Sequence, residues 1–150
     1  MEEVWKPHAT VAAIIEVDGL FLMVEEISDG LNVYNQPAGH LESQESLHDA
    51  AVRETREETG WGFTPQYISG IYLWDQPASE RSFLRVAFAG SCDDYQPDLP
   101  LDDGIISAVW LSRDQLAGQP EKLRSPLVLR CIDDYLAGKK YPLELLTDIS

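Results

Sequence analysis

Three glutamates, Glu54, Glu57 and Glu58, stand at relative offsets of zero, three and four. A helical pitch of ~3.6 residues brings all three carboxylates to one face. Glu54 and Glu58 then form a like-charge pair at four-residue spacing, which costs roughly 0.2–0.5 kcal/mol in an isolated helix. A divalent cation would offset that cost. Hard ions such as magnesium take carboxylate oxygens and keep waters and phosphate oxygens as their remaining ligands. The same ion would draw in a polyanionic substrate. The competing explanation is a solvated acidic face paired by Arg53 and Arg56. Arg53 lies four residues before Glu57, where it can pair with that carboxylate and aim it.

These side chains need a helix to carry them, and the chain supplies one. Between Ser46 and Thr59 no residue breaks a helix. Ser43 or Ser46 serves as the cap, Ala50 and Ala51 have high helix propensity, and Gly60 provides a stop at the C′ position. Ala51, Val52 and Thr55 face a sheet while the glutamates line the rim. Upstream, Ala9 to Val17 is a nearly continuous apolar run, predicting a strand buried on both faces. Asp18-Gly19 turns it into Leu20 to Val24 as a hairpin. A loop with Ser28-Asp29-Gly30 follows, and Asn35 to Gly39 is a short extended piece ending in a bend, because Pro37 has no backbone donor. Downstream, strands are predicted at Gln66 to Trp74, Ser82 to Gly90 and Ile105 to Leu111. Asp93 to Gly104 is loop. Ser112-Arg113-Asp114 opens a short helix, and Pro126 to Leu136 forms a longer one. The mixed order gives an α/β (α+β) sandwich. The chain contains neither an internal repeat nor a low-complexity linker.

At 150 residues, with 44% hydrophobic side chains, the chain reads as one domain spanning 1–150. Its 26 acidic and 11 basic residues give a formal charge of -15, which disfavours nucleic acid and anionic membranes as partners. Acidity serves solubility in many proteins, but here the acids cluster. Cys92 and Cys131 form no CxxC spacing, so neither a disulfide framework nor a zinc knuckle is expected. Met1 to Lys6 opens with two glutamates, the wrong charge for a secretory signal, and no apolar run approaches ~20 residues, so a cytoplasmic location is expected.

From Gly39 to Trp61 the chain reads GHLESQESLHDAAVRETREETGW. It resembles the Nudix box: glycine, five residues, glutamate, seven residues, then Arg-Glu-apolar-x-Glu-Glu-x-Gly-apolar. Gly39, Glu45, Arg53, Glu54, Glu57, Glu58 and Gly60 fall in register. Thr55 stands where an aliphatic residue is usual, which would loosen packing beneath the helix, and Trp61 is a bulky variant. The resemblance implies an α/β/α sandwich with a mixed β-sheet, a loop-helix-loop motif and magnesium-dependent hydrolysis of diphosphates, with Mn2+ as a substitute ion. It implies Glu54, Glu57 and Glu58 as metal ligands, joined by the Gly39 carbonyl, with Glu54 also orienting or deprotonating the attacking water. Glu45 and Arg53 brace the motif. A further carboxylate often comes from a loop before a late strand, where Asp102 and Asp103 stand; Asp103 is taken as the ligand, against a purely solvated loop.

Phosphoryl transfer needs an in-line water and neutralised anhydride oxygens, so no serine or cysteine nucleophile is required. His40 is placed to contact phosphate or act as an acid, or else to brace its loop. His8 and His48 read as structural. Tyr34, Trp74 and Phe83 are candidates to stack on a heteroaromatic ring, against a core role. Arg85 projects from an apolar strand, suiting a substrate phosphate or a surface ion pair. The fragments Lys6-Pro7-His8, Asn35 to Glu42, Leu123 to Val128 and Tyr141 to Glu144 are similar to a bacterial branch of the family, phosphatases acting on hydroxymethylpyrimidine diphosphate, a thiamine precursor, and on nucleoside di- and triphosphates with orthophosphate release. A small-molecule diphosphate partner and a monomer follow from that reading, with a homodimer as the alternative. Arg124 lies in a loop that can reach the site. The functional alternative is a catalytically silent Nudix-fold sensor of a nucleotide-like ligand. Such sensors usually carry a fused DNA-binding domain and lose box glutamates, neither of which is seen here. An acidic calcium module is disfavoured because the alternating Asp/Asn loop of an EF-hand is missing.

Overall fold

The structure is a computed structural model that describes residues 3–149. Met1, Glu2 and Ser150 lie outside it, and with them part of the acidic amino-terminal segment.

Among the described residues, eight strands and three α-helices follow one another as β1 (His8–Ile14), β2 (Glu16–Val17), β3 (Leu20–Ser28), β4 (Leu31–Asn35), β5 (Ala38–His40), α1 (Leu47–Thr59), β6 (Gly62–Asp75), β7 (Ser82–Asp93), β8 (Ile105–Ser112), α2 (Arg113–Ala117) and α3 (Leu127–Leu136). Where one mixed sheet is expected, the strands form two. The first runs β5-β1-β7-β6 and is mixed, with β1 parallel to β7 and the other pairs antiparallel. In the second, all antiparallel, β3 is central, with β2 and β4 in succession along one edge and β8 on the other.

The predicted strand from Ala9 to Val17 is therefore divided between the sheets. The Asp18-Gly19 turn forms, with φ of 52° and 80°, the positive values a primed turn requires. Its hairpin spans only two residues of each strand, because β1 has left to pair with β7 and β5. At the crossing, the Ile15 carbonyl accepts from the Leu22 amide at 3.0 Å. The same chemistry recurs at Asp29-Gly30, with φ of 51° and 79°, so the expected loop there is a tight hairpin between β3 and β4.

Alternation along β1 explains its continuous apolarity. Val11 and Ala13, with Ile15, pack beneath α1 together with Leu22, Phe63, Ile68, Val86 and Phe88. Ile14 points the other way, onto Leu116 of α2 and Val128, Cys131 and Ile132 of α3. The helices thus lie on opposite faces of the strands, as in an α/β/α sandwich. No helix among the described residues is long and apolar enough to cross a membrane.

Asp134 pins α3 to β6. Although buried, it accepts from Tyr72 Oη at 2.7 Å, Arg130 Nε at 3.0 Å and Lys139 Nζ at 3.0 Å. Burial pushes its carboxyl up, but the bonds from Tyr72, Lys139 and Arg130 outweigh burial and hold it below the ordinary value of 3.8. A depressed carboxyl contributes stability above its unfolded pKa and loses it as pH falls through the folded one. Asp134→Asn is therefore expected to cost about 1–3 kcal/mol at pH 7. Urea melts of both proteins should show the difference shrinking as the pH is lowered below about 3.8.

Candidate active site

Helix α1 begins where the Ser46 side chain accepts from the Asp49 amide at 3.0 Å and ends at Gly60, whose φ is 80°. A Cβ at Gly60 would sit 2.9 Å from the Gln96 carbonyl, so both conformation and space call for glycine. The buried stripe of the helix is Ala50, Ala51, Glu54, Thr55, Glu58 and Thr59. Thr55 does not loosen the packing. Its hydroxyl donates to the Ala51 carbonyl at 2.8 Å, which satisfies it within the helix and leaves the side chain fully buried.

Two of the three glutamates belong to that buried stripe, and only Glu57 lies on the rim. Glu54 rests on β5, its carboxylate occupying the space a Cβ on Gly39 would fill. Glu58 accepts from the Ala38 amide at 2.9 Å. Burial raises the carboxyls of Glu54 and Glu57, with Asp102 adding to the rise at Glu57, and pushes Glu58 up to about 9.

One guanidinium serves this group. Arg53 donates to both Glu45 oxygens, at 2.9 and 2.7 Å, to Glu54 at 2.8 Å, to Glu57 at 3.2 Å and to the His40 carbonyl at 3.1 Å, and lies 3.3 Å from Glu42. Glu45 also accepts from the Glu42 amide at 2.9 Å, closing the loop before the helix. Glu45 and Arg53 are thus placed to brace the segment.

The loop carboxylate that joins the glutamates is Asp102, not Asp103. Its amide donates at 3.1 Å to the Glu57 carbonyl, one of the last-turn acceptors that a helix leaves without an internal partner. The Asp102 carbonyl then closes a tight turn with Ile105 at 3.1 Å through Gly104, whose φ is 87°, leaving Asp103 on the exposed corner. Oxygens of Glu54, Glu57 and Asp102 all lie within 4.8 Å of one another. Four carboxylates share Arg53, while Glu58 and Asp102 are without it. This excess of converging oxygen donors fits a hard divalent cation.

A cleft of ≈ 740 Å³ opens beside Glu54 and Glu58, between the two sheets. Trp74 and Phe83, directly opposed on β6 and β7, stack along its wall at 5.8 Å. His40 lies at the rim, 5.3 Å edge-on to His8; partial burial and the charges of His8 and Arg81 hold it below its usual pKa, which favours the neutral ring. Arg85 also lines the cleft. Tyr34 does not: its ring packs into the core beside α3, and its carbonyl accepts from the Arg124 amide at 2.9 Å. Arg124 reaches the cleft, donating to Ser28 at 3.2 Å and lying 3.8 Å from Glu26. Glu26 escapes a reading of the sequence, since Glu25-Glu26 looks like the polar end of a strand. Regular alternation along β3, unbroken in its pairing with β4, puts Glu26 and Ser28 on the same side, at the cleft.

The match to the NUDIX domain family model spans residues 6–129, and the chain belongs to that family. It is a Nudix hydrolase, an enzyme acting on diphosphates. Phosphatase NudJ of Escherichia coli K12 is 42% identical over 146 residues, covering 97% of this chain and 94% of that protein. A NUDIX hydrolase from Nitrosomonas europaea is 46% identical and superimposes with a TM-score of 0.94 over 96% of this chain and 98% of its own. The MutT protein of Methanosarcina mazei is 26% identical, with a TM-score of 0.69 over 92% and 100% of the two chains.

The contact of Glu54 with Gly39 generates a sharp expectation. Gly39→Ala would displace that carboxylate while leaving the helix and its caps intact. A displacement of about 1 Å at a reacting centre costs on the order of a hundredfold in rate. Steady-state hydrolysis should show that loss in kcat/KM, with the melting temperature nearly unchanged.

Proposed function

We propose that the chain hydrolyses the phosphoanhydride bond of small diphosphate metabolites in a magnesium-dependent reaction. Hydroxymethylpyrimidine diphosphate and nucleoside di- and triphosphates are the substrates, and orthophosphate is released. The observation that carries this reading is the convergence of Glu54, Glu57 and Asp102 beside a cleft of substrate size. The likeness to the E. coli phosphatase supports the choice of reaction.

Glu54, Glu57 and Asp102 would hold the cation, with Glu58 and the Gly39 carbonyl next to them. When bound, magnesium neutralises anhydride oxygens and lowers the pKa of a coordinated water. The chain's own contribution is positional. Arg53 restrains Glu54 and Glu57 in one geometry, and Glu54, between the cleft and Arg53, is the group that orients and deprotonates the attacking water. Trp74 and Phe83 offer a flat apolar wall to a heteroaromatic ring. His40, favoured neutral, serves better as a donor to a phosphate oxygen than as an acid. In the same reading the whole chain works as a single domain, monomeric and cytoplasmic. The two free cysteines suit a reducing compartment.

Orthophosphate release from hydroxymethylpyrimidine diphosphate and a nucleotide panel, with and without magnesium, tests the reading. Chelation should abolish turnover, and Glu57→Gln should lower kcat by a factor on the order of 10²–10³, the scale of losing one electrostatic contact at the reacting centre. Turnover that survives chelation, or an unaffected variant, would remove the metal assignment.

A further inference from the structure

Of the three arginines that line the cleft, Arg81, Arg85 and Arg124, Arg85 is the buried one. It is only 6% exposed, yet its partners are uncharged. Nη1 donates to Gln36 Oε1 at 3.0 Å and approaches Cys131 Sγ at 3.8 Å, and Nη2 donates to Asn35 Oδ1 at 3.3 Å. Nε has no hydrogen-bond partner. Among the described residues no carboxylate pairs with it, whereas Arg53, Arg56, Arg113, Arg124 and Arg130 each have one. A guanidinium buried with neutral hydrogen-bond partners is only partly balanced, by the Glu26 carboxylate that it attracts across the cleft without forming an ion pair. Gln36, itself 1% exposed, is held in turn by its amide bond to the Val128 carbonyl at 2.8 Å, so the seat is fixed before any ligand arrives.

Strand register says where this charge stands. Along one line across the first sheet, His40 of β5 pairs with Thr10 of β1, which pairs with Arg85 of β7. Gly39, beneath the Glu54 carboxylate, pairs with Val11 on the adjacent line, so its backbone is two strand spacings across and one residue along from that of Arg85, roughly 10 Å, and both residues line the cleft. Phe83, opposite Trp74, is two residues from Arg85 on the same face of β7, roughly 7 Å away. A molecule lying along the cleft from the carboxylates to the aromatic pair passes Arg85 on the way.

We propose that Arg85 binds the inner phosphate of a diphosphate substrate, the one bearing the organic group, so that the terminal phosphate is the one presented to the α1 carboxylates. The assignment rests on the diphosphate-hydrolase reading. It supplies a reason for orthophosphate release: water bonds to the terminal phosphorus, and the bond from that phosphorus to the bridging oxygen breaks. The electron pair stays on the bridging oxygen, and the water proton passes to Glu54 and on to solvent. The inner phosphate leaves with the organic group as a monoester. Arg85 faces the charge that this leaving phosphate gains.

Calorimetric binding of CMP and hydroxymethylpyrimidine monophosphate, with no divalent cation added, isolates this contact from turnover. Arg85→Gln should weaken both about ten- to a hundredfold, the scale of a charge-assisted hydrogen bond. Arg85→Lys keeps the charge and a donor for Gln36, guarding against a failure to fold, and should weaken binding by a smaller factor. Hydrolysis of a nucleoside diphosphate in heavy-oxygen water should place the label in orthophosphate. Monophosphate binding that is unchanged in both variants, or label in the monoester, would overturn the assignment. A wild type that binds monophosphate through Arg85 but turns over none of the proposed substrates would instead overturn the hydrolase reading and leave Arg85 as a phosphate seat.

Discussion

The burial of Glu54 and Glu58 against the strand Ala38–His40 is the contact on which the site depends. Taking carboxylates out of water is costly, and their raised pKa values express that cost. The protein meets it with local devices: a glycine that leaves room for one carboxylate, an amide that bonds the other, and one arginine shared among the acids. Each device fixes a position as well as offsetting charge. The helix cannot rotate without losing the Gly39 contact, and the loop before it cannot drift without breaking the paired hydrogen bonds that Arg53 donates to Glu45. The site is therefore ordered but electrostatically strained, a common compromise of activity with stability.

Around that contact the two sheets separate to make the cleft. The crossing at Ile15 sends β1 into one sheet and β2 and β3 into the other, so Thr10, Arg85 and Phe83 face Glu26, Ser28 and Asn35 across the gap. Short segments set the important distances. Asn35 and Gln36 meet Arg85, while Ala38 and Gly39, a few residues on, meet Glu58 and Glu54. One stretch of extended chain thereby ties the acidic end of the cleft to its basic floor.

Features decided by neighbouring residues were legible in the sequence. The helix, its Gly60 stop and the Asp18-Gly19 turn follow from capping and turn chemistry that acts over four or five residues, and of the two serines offered as cap the structure uses Ser46. The box spacing led to the family, and the α/β/α layering followed with it. What was not legible depends on distant partners. Nothing local distinguishes Asp102 from Asp103; the choice is made by a backbone bond to the end of α1. Helical spacing places three glutamates together, but it cannot say that the sheet will cover Glu54 and Glu58 and leave Glu57 on the rim. Tyr34 was a fair candidate for stacking, but its side chain packs against the core cluster formed by residues distant in sequence. The split into two sheets hides in β1, whose apolar run continues through the crossing without a break.

Manganese binding followed by electron paramagnetic resonance, on the wild type beside Glu54→Gln and Asp102→Asn, tests most directly whether the buried carboxylates form a cation site. The expected result is saturable binding by the wild type that weakens at least tenfold in each variant while their folds persist. Binding that is equal in all three proteins, or undetectable in the wild type at millimolar ion, would contradict it.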